Sequence, residues 1–236
     1  MSSILHVSYL PNGSFVLPII SRLQGSTKPH VRELAKKWST TALSLLGASL
    51  STKVTMLGLL ATRYYARLIP LQTELAQRKD LDEHLRRGAA WTPAQRALPY
   101  ELLIELDSFV FEFRSAYEIL GKFLRAFSQE ILAKPITETD LLKVLSDRGI
   151  DTAWARELQE RRKFLFHEHA PWLAYRVNKT NPLDSELIFL AHADADATNP
   201  EESISQRTLG SIYAGFESAL TELQAWAVRD IGKLEE

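Results

Sequence analysis

Residues 105–124 read ELDSFVFEFRSAYEILGKFL, and apolar side chains return in this stretch every three or four positions. The same spacing continues on both sides, taking in Leu102, Leu106, Phe109, Val110, Phe113, Tyr117, Leu120 and Phe127. A recurrence of that period turns one face of a helix toward a core, so the pattern predicts a single long helix over about 99–132. Its apolar stripe is broad, which implies neighbours on more than one side. A helix of this length and character sets the fold class as a bundle.

Working outward, helical patterns cover about 29–46 and about 52–87, the second bent near Pro70. Thr137 or Thr139 can cap a short helix that runs to about Arg148 and stops at Gly149. Asp151 can cap the next helix, which Pro171 should end or kink. Thr198 or Asn199, just before Pro200, suits the start of a last helix over about 201–233, with Ile212, Phe216, Leu220, Leu223 and Trp226 on one face.

Two stretches depart from the helical period. ILHVSYLPNGSFVLPII, residues 4–20, sets a Pro-Asn-Gly turn between two β-rich runs and predicts a hairpin, with Pro18 placing its second strand at an edge. WLAYRV and ELIFLA, separated by residues 178–185, are candidates for a second short hairpin near 172–191. The expected architecture is mainly α: a bundle of long helices with a small N-terminal β-hairpin. Residues 1–96 form that hairpin and a helical extension, and 97–236 form a helical domain packed against it as one unit.

The 236-residue chain is 45% hydrophobic and 24% charged, which supplies ample material for a core. It contains no cysteine, so disulfides, thiolate nucleophiles and cysteine-based metal sites are excluded and any catalysis must use oxygen and nitrogen groups. The start MSSILHVSYL lacks the pattern of a signal peptide. The most apolar window, 41–62, is interrupted by Lys53 and by hydroxyls, so no membrane partner is expected and a cytoplasmic location is. A formal charge of −1 excludes a globally basic nucleic-acid binder, but the charge is unevenly spread. Residues 151–180 hold six Lys/Arg against four Asp/Glu, whereas 181–206 hold six acids and no base.

The basic stretch includes ERRKFLFHEHAPW, residues 160–172. On an ideal helix Trp154, Leu158, Leu165 and Trp172 share a sector of ~40°, with Arg161 inside it and Arg162 at its margin. A buried guanidinium needs an anionic or carbonyl partner. One reading is therefore structural, with Arg161 or Arg162 paired to Glu105, Glu112 or Glu118 of the long helix. The other is catalytic. Metal-free cleavage of RNA requires a group that titrates near neutrality to move a proton and a fixed cation on the phosphate, and histidine with a forked guanidinium meets both needs.

LQERRKFLFHE resembles the R-x4-6-H signature of the HEPN superfamily, and ELDSFVFEFRSAYEILGKFL resembles the helix that precedes this motif in many of its members. The resemblance covers about 99–236. It implies a compact helical domain acting as a metal-independent, homodimeric ribonuclease of the kind found in toxin, antiphage and RNA-processing systems, with no cofactor. Carried over, Arg162 matches the motif arginine and binds phosphate, while His167 matches the histidine and transfers a proton. Arg162 with His169, and Arg161 with His167, also satisfy the spacing. The register Arg162/His167 is preferred because it sets Lys163 and Glu168 where the family is polar. Lys163 replaces the small polar residue usual after the arginine but keeps a cation there, and His169 is a further supporting group.

Positions five apart on a helix point about 140° away from each other. The resemblance implies that two copies meet across a twofold axis and build one composite site. It also admits an inhibitory partner protein, and a non-catalytic module that holds a nucleotide or a partner. A structural helical interaction protein is the remaining alternative.

HADADA places His192, Asp194 and Asp196 at alternate positions and reads as an acidic solvated loop rather than a metal site. The basic clusters at 28–37 and 86–96 read as solvated helix ends. Tyr64, Tyr65 and Trp91 read as core or interface aromatics, with base stacking as the alternative.

Overall fold

The computed structural model describes residues 15–87, 91–138, 140–161 and 171–236. Among them the chain is mainly α, with eight α-helices and one small antiparallel sheet. The helices are α1 (Leu17–Gln24), α2 (Pro29–Thr40), α3 (Ala42–Gln77), α4 (Leu81–Arg87), α5 (Leu98–Glu130), α6 (Leu141–Ser146), α7 (Ala153–Glu160) and α8 (Gln206–Gly232). The strands β1 (Trp172–Arg176), β2 (Glu186–Leu190) and β3 (Ser203–Ser205) lie in that order across the sheet.

Two compact units divide the chain. One comprises the described residues of Met1–Leu57, Glu112–Ile150 and Ser218–Glu236; the other those of Gly58–Phe111 and Asp151–Glu217. Both units draw residues from either side of position 96, and α3, α5 and α8 each contribute a segment to both.

The first unit is held by aromatic rings. Phe123 of α5 meets Phe15 edge-on at 5.5 Å and Trp38 of α2 at 5.8 Å, and stacks on Phe127 at 6.0 Å. Phe127 in turn meets Trp226 of α8 at 5.8 Å, and the Arg148 guanidinium lies over that indole at 4.6 Å. Gly47 explains how closely α3 approaches this cluster. A Cβ there would stand 2.9 Å from a Val16 methyl and 3.3 Å from the Trp38 ring. The helix break expected between residues 46 and 52 is therefore absent: glycine permits contact here, and the turn falls at Thr41, whose backbone is extended. α3 then runs through Pro70 to Gln77, and a separate α4 covers the end of the expected 52–87 segment.

The expected N-terminal hairpin is corrected over its second run. Residues 17–24 are helical, and Pro18 occupies the first turn of α1, where its missing N–H costs no hydrogen bond. Burial of Ile19 and Leu23, four apart, outweighs the β preference of the sequence. The first run, 4–10, lies outside the described residues. α5 agrees with expectation to within two residues at each end. Asp140, rather than Thr137 or Thr139, caps α6, its side chain accepting from the Leu142 N–H at 3.0 Å. Thr139 lies outside the described residues. Gly149 ends this segment at φ 75°, a left-handed conformation that glycine adopts freely.

In the second unit β1 and β2 pair antiparallel from Trp172↔Leu190 to Arg176↔Glu186, so the hairpin near 172–191 is present. β3 adds a strand that the sequence pattern did not reveal, pairing Ile188↔Ser205 through Leu190↔Ser203. It also moves the start of the last helix from 201 to 206, where the Ser205 hydroxyl accepts from the Thr208 N–H at 3.1 Å and serves as the cap. β2 is the buried centre of the sheet, with Leu187 and Phe189 wholly enclosed. Phe189 packs against Tyr64 of α3, and Trp154 of α7 against Phe216 of α8.

Candidate functional site

α7 leads into the Arg/His stretch and is firmly anchored. The N-cap of the helix is Thr152, without a side-chain bond, rather than Asp151; Asp151 stands one residue before it and accepts from the Ala153 N–H at 2.9 Å, and the Asp151 carbonyl accepts from the Trp154 indole at 3.1 Å. Gly215 of α8 admits that indole: a Cβ at 215 would fall 2.5 Å from the Trp154 Cβ. α7 ends at Glu160, and the expected end or kink at Pro171 concerns residues 162–170, which lie outside the described ones. Trp172 belongs to β1 and is 58% exposed, so the expected buried sector is corrected there, although Trp154 is buried.

Arg162, Lys163, His167, Glu168 and His169 lie outside the described residues. Arg161, with 18% of its side chain exposed, is spoken for: Nε donates to Glu157 at 2.7 Å and Nη1 to the Ser203 carbonyl at 2.7 Å. It thus ties the end of α7 to β3. The expected partners of the motif arginine have other cations beside them. Glu105 pairs with Arg63 at 2.7 Å, Glu112 with Lys53 at 2.6 Å and Glu118 with Arg114 at 3.0 Å. Arg161 is therefore corrected from a helix-to-helix pair with α5 to a local pair within α7, and the register that uses Arg161 as the phosphate ligand loses its free guanidinium.

An open cleft of about 480 Å³ lies beside α7, bordered by Asp151, Trp154, Glu157, Arg207, Thr208 and Ser211. Its polar side chains come from two helix ends. Arg207 is held at the rim by Asp184, whose carboxylate accepts at 2.6 Å and whose carbonyl accepts at 3.2 Å. Thr208 and Ser211 add hydroxyls one helical turn apart. Sequence reasoning passed over these three residues, because the expected helix start at 201 put them inside an ordinary helix. The one signal was a polar run, Arg207, Thr208 and Ser211, on a helix otherwise rich in apolar positions. The site therefore combines one cation and two hydroxyls with two carboxylates, an arrangement able to bind polar, hydrogen-bonding groups.

The remaining candidates fall where solvated loops and packing put them. Asp196 accepts from the backbone N–H of Thr198 and from its hydroxyl, which hold its carboxyl below the usual range, and His192 stands 3.9 Å from Glu202. Among the described residues no three histidine or carboxylate side chains gather as metal ligands. In the basic clusters Lys36 pairs with Glu33, Lys37 with Glu130 and Arg87 with Glu83. Trp91 packs on Tyr175 at 6.0 Å beneath Arg78, and Tyr64 is buried, while Tyr65 is half exposed. α3 is long and apolar enough to cross a membrane by length and composition alone.

No protein-family model matches the chain, and neither a curated protein nor a solved structure matches it. What the described residues define is a mainly α protein with a small antiparallel sheet and a polar cleft beside the helix that precedes the Arg/His stretch.

Proposed function

We propose that the protein is a metal-independent endoribonuclease of the HEPN type, active as a homodimer. Arg162 would hold the scissile phosphate and His167 would move the proton. In such a step the RNA 2′-hydroxyl loses its proton and attacks the adjacent phosphorus, the P–O bond to the 5′-oxygen breaks, and that oxygen takes up a proton. Arg162 balances the charge that grows on the phosphate oxygens, with Lys163 and His169 in support. The observation that carries the reading is the R-x4-H spacing of Arg162 and His167, which follows directly on a helix that borders an open cleft. Arg207 and the hydroxyls of Thr208 and Ser211, which border the cleft beside α7, suit contacts to a sugar-phosphate chain.

A second reading, a non-catalytic module that binds a nucleotide or a partner protein, is favoured by one observation. Arg161, the first arginine of the stretch, serves an internal ion pair. Labelled single-stranded and structured RNAs incubated in EDTA with the wild type and with folded Arg162→Ala and His167→Ala variants separate the two. Cleavage by the wild type that is lost in both variants supports the nuclease. RNA or nucleotide binding without cleavage supports the module.

A further inference from the structure

Within the second unit, β1 runs along one edge of the three-stranded sheet and β3 along the other. An edge strand presents a row of backbone N–H and C=O groups to whatever lies beside it. Which groups face outward follows from the ladder. The Ala191 N–H donates to the Glu202 carbonyl at 2.8 Å, so alternate residues of β2 point to β3, and the intervening ones, Glu186, Ile188 and Leu190, point to β1. Their partners Arg176, Ala174 and Trp172 therefore spend their backbone groups on β2. Those of Leu173 and Tyr175 point away from the sheet.

The two edges are finished differently. At β3 the outward groups of Ser203 are both taken, its N–H donating to the Asn199 carbonyl at 2.9 Å and its C=O accepting from Arg161 at 2.7 Å. At β1, among the described residues, no backbone group bonds to anything but β2. β1 also lacks devices that blunt an edge: it holds no proline or lysine, and no bulge breaks its register with β2. Trp172 at its start is 58% exposed, and the Arg176 side chain at its end is 55% exposed.

We propose that the outer edge of β1 is a docking surface for β1 of a second copy of this chain, the two strands running antiparallel about a twofold axis at Ala174. The strand is complementary to itself in that register. Leu173 of each copy faces Tyr175 of the other, which satisfies their outward N–H and C=O groups reciprocally. Ala174 meets its own counterpart at a non-hydrogen-bonded position, a small side chain where the strands come closest. Trp172 lies across from Arg176 of the other copy on the same face, where indole and guanidinium attract, and the twofold makes that contact twice. A slip of two residues either way breaks this Trp–Arg pairing. Arg176 is already steadied by Glu186 of β2 at 2.6 Å. The inference rests on the proposed function for the existence of a pair, not for cleavage. In the sequence His169 stands three positions before Trp172, so this axis joins two copies a short way along the chain from the residues of the composite site.

The chain has no cysteine, so single introduced thiols report the interface. Full-length Ala174→Cys, with folding checked by circular dichroism, should form a disulfide-linked dimer on mild oxidation, because Cα atoms across a non-hydrogen-bonded pair stand about 4.5 Å apart, within disulfide reach. Trp172→Cys and Arg176→Cys should each stay largely monomeric alone and cross-link when mixed. Leu183→Cys, as exposed as Trp172, measures chance collision. Trp172→Ala should raise the dimer dissociation constant in sedimentation roughly tenfold, the loss of two exposed cation–π contacts. Dimers in sedimentation with Ala174→Cys cross-linking no faster than Leu183→Cys would overturn this interface and leave the homodimeric nuclease standing. Cross-linked dimers that cleave no RNA would support the interface and count against the nuclease. A chain that is monomeric at every concentration would overturn both.

Discussion

The unit around Phe123 and the unit around β2 draw on the same three long helices and spend them differently. In the first, five large rings touch in sequence from Phe15 to Trp226, and glycine at 47 brings α3 into contact with that cluster. In the second, glycines at 58, 210 and 215 admit tyrosine and tryptophan side chains, and a cavity and a cleft remain, while buried hydroxyls without a partner among the described residues occur in both units, at Ser51 and Ser128 in the first and at Tyr64 and Tyr175 in the second. Close packing maximises stability, whereas leaving polar groups and space uncommitted costs stability and is what a site requires. The first unit is thus marked by its ring cluster, and the second by the cavity and the cleft.

The largest effect should come from cutting into the first unit. Phe123→Ala removes a ring that is 1% exposed and touches three other aromatic residues, and should lower the unfolding free energy by about 3–5 kcal/mol in urea titrations. A loss below 1 kcal/mol would mean that the ring cluster is not the anchor. In the second unit, Gly215→Ala should cost about 1–3 kcal/mol, because its methyl group would collide with Trp154. The same experiment reads it, and an unchanged midpoint would show that α7 can move away.

Alkaline pH bears on both units, and most on the second. Burial raises the phenols of Tyr64, Tyr175 and Tyr213 in the second unit, and of Tyr117 in the first, above their ordinary value of 10.0. A raised folded-state pKa contributes stability that is fully present below the unfolded value and is lost as pH climbs toward the folded one. Stability should therefore fall progressively above about pH 10. Tyr64→Phe and Tyr175→Phe should each flatten that fall, measured by urea midpoints between pH 8 and 11. Since each also removes a buried hydroxyl without a partner, neither should destabilise the protein at pH 7. An unaltered alkaline slope in both variants would argue that other groups govern it.

The smallest change tests a point of strain in the first unit. Ala133 follows α5 at φ 51°, in the left-handed region, and Ala133→Gly should gain up to about 1 kcal/mol. A loss would place the side chain's packing above the backbone effect.

How much of this was legible in the sequence depended on the range of the interaction. α5 could be read almost to the residue because its period is local, and the Gly149 stop could be read because it acts within a few residues, whereas the cap expected at Asp151 falls one residue later, at Thr152. The hairpin of β1 and β2 was legible for the same reason, its strands being close in sequence. Contacts between distant segments were hidden. Ile19 and Leu23 are helical because they are buried, Gly47 is a contact and not a break, and Ser203 to Ser205 form a strand because β2 lies beside them. The cleft residues Arg207, Thr208 and Ser211 face α7 from about fifty positions away, so no local pattern could join them to it. The Arg/His spacing is local and therefore legible, whereas one partner of Arg161, the Ser203 carbonyl, lies 42 positions away and has no local signal.

The most direct test of the functional assignment is the rate of RNA cleavage in EDTA measured across a range of protein concentrations, with the oligomeric state followed by sedimentation in the same buffer. A composite site requires that activity per chain rise as dimers form and level off once dimerisation is complete. Cleavage that is absent at every concentration, or that proceeds at full rate per chain while the protein is monomeric, would contradict the assignment.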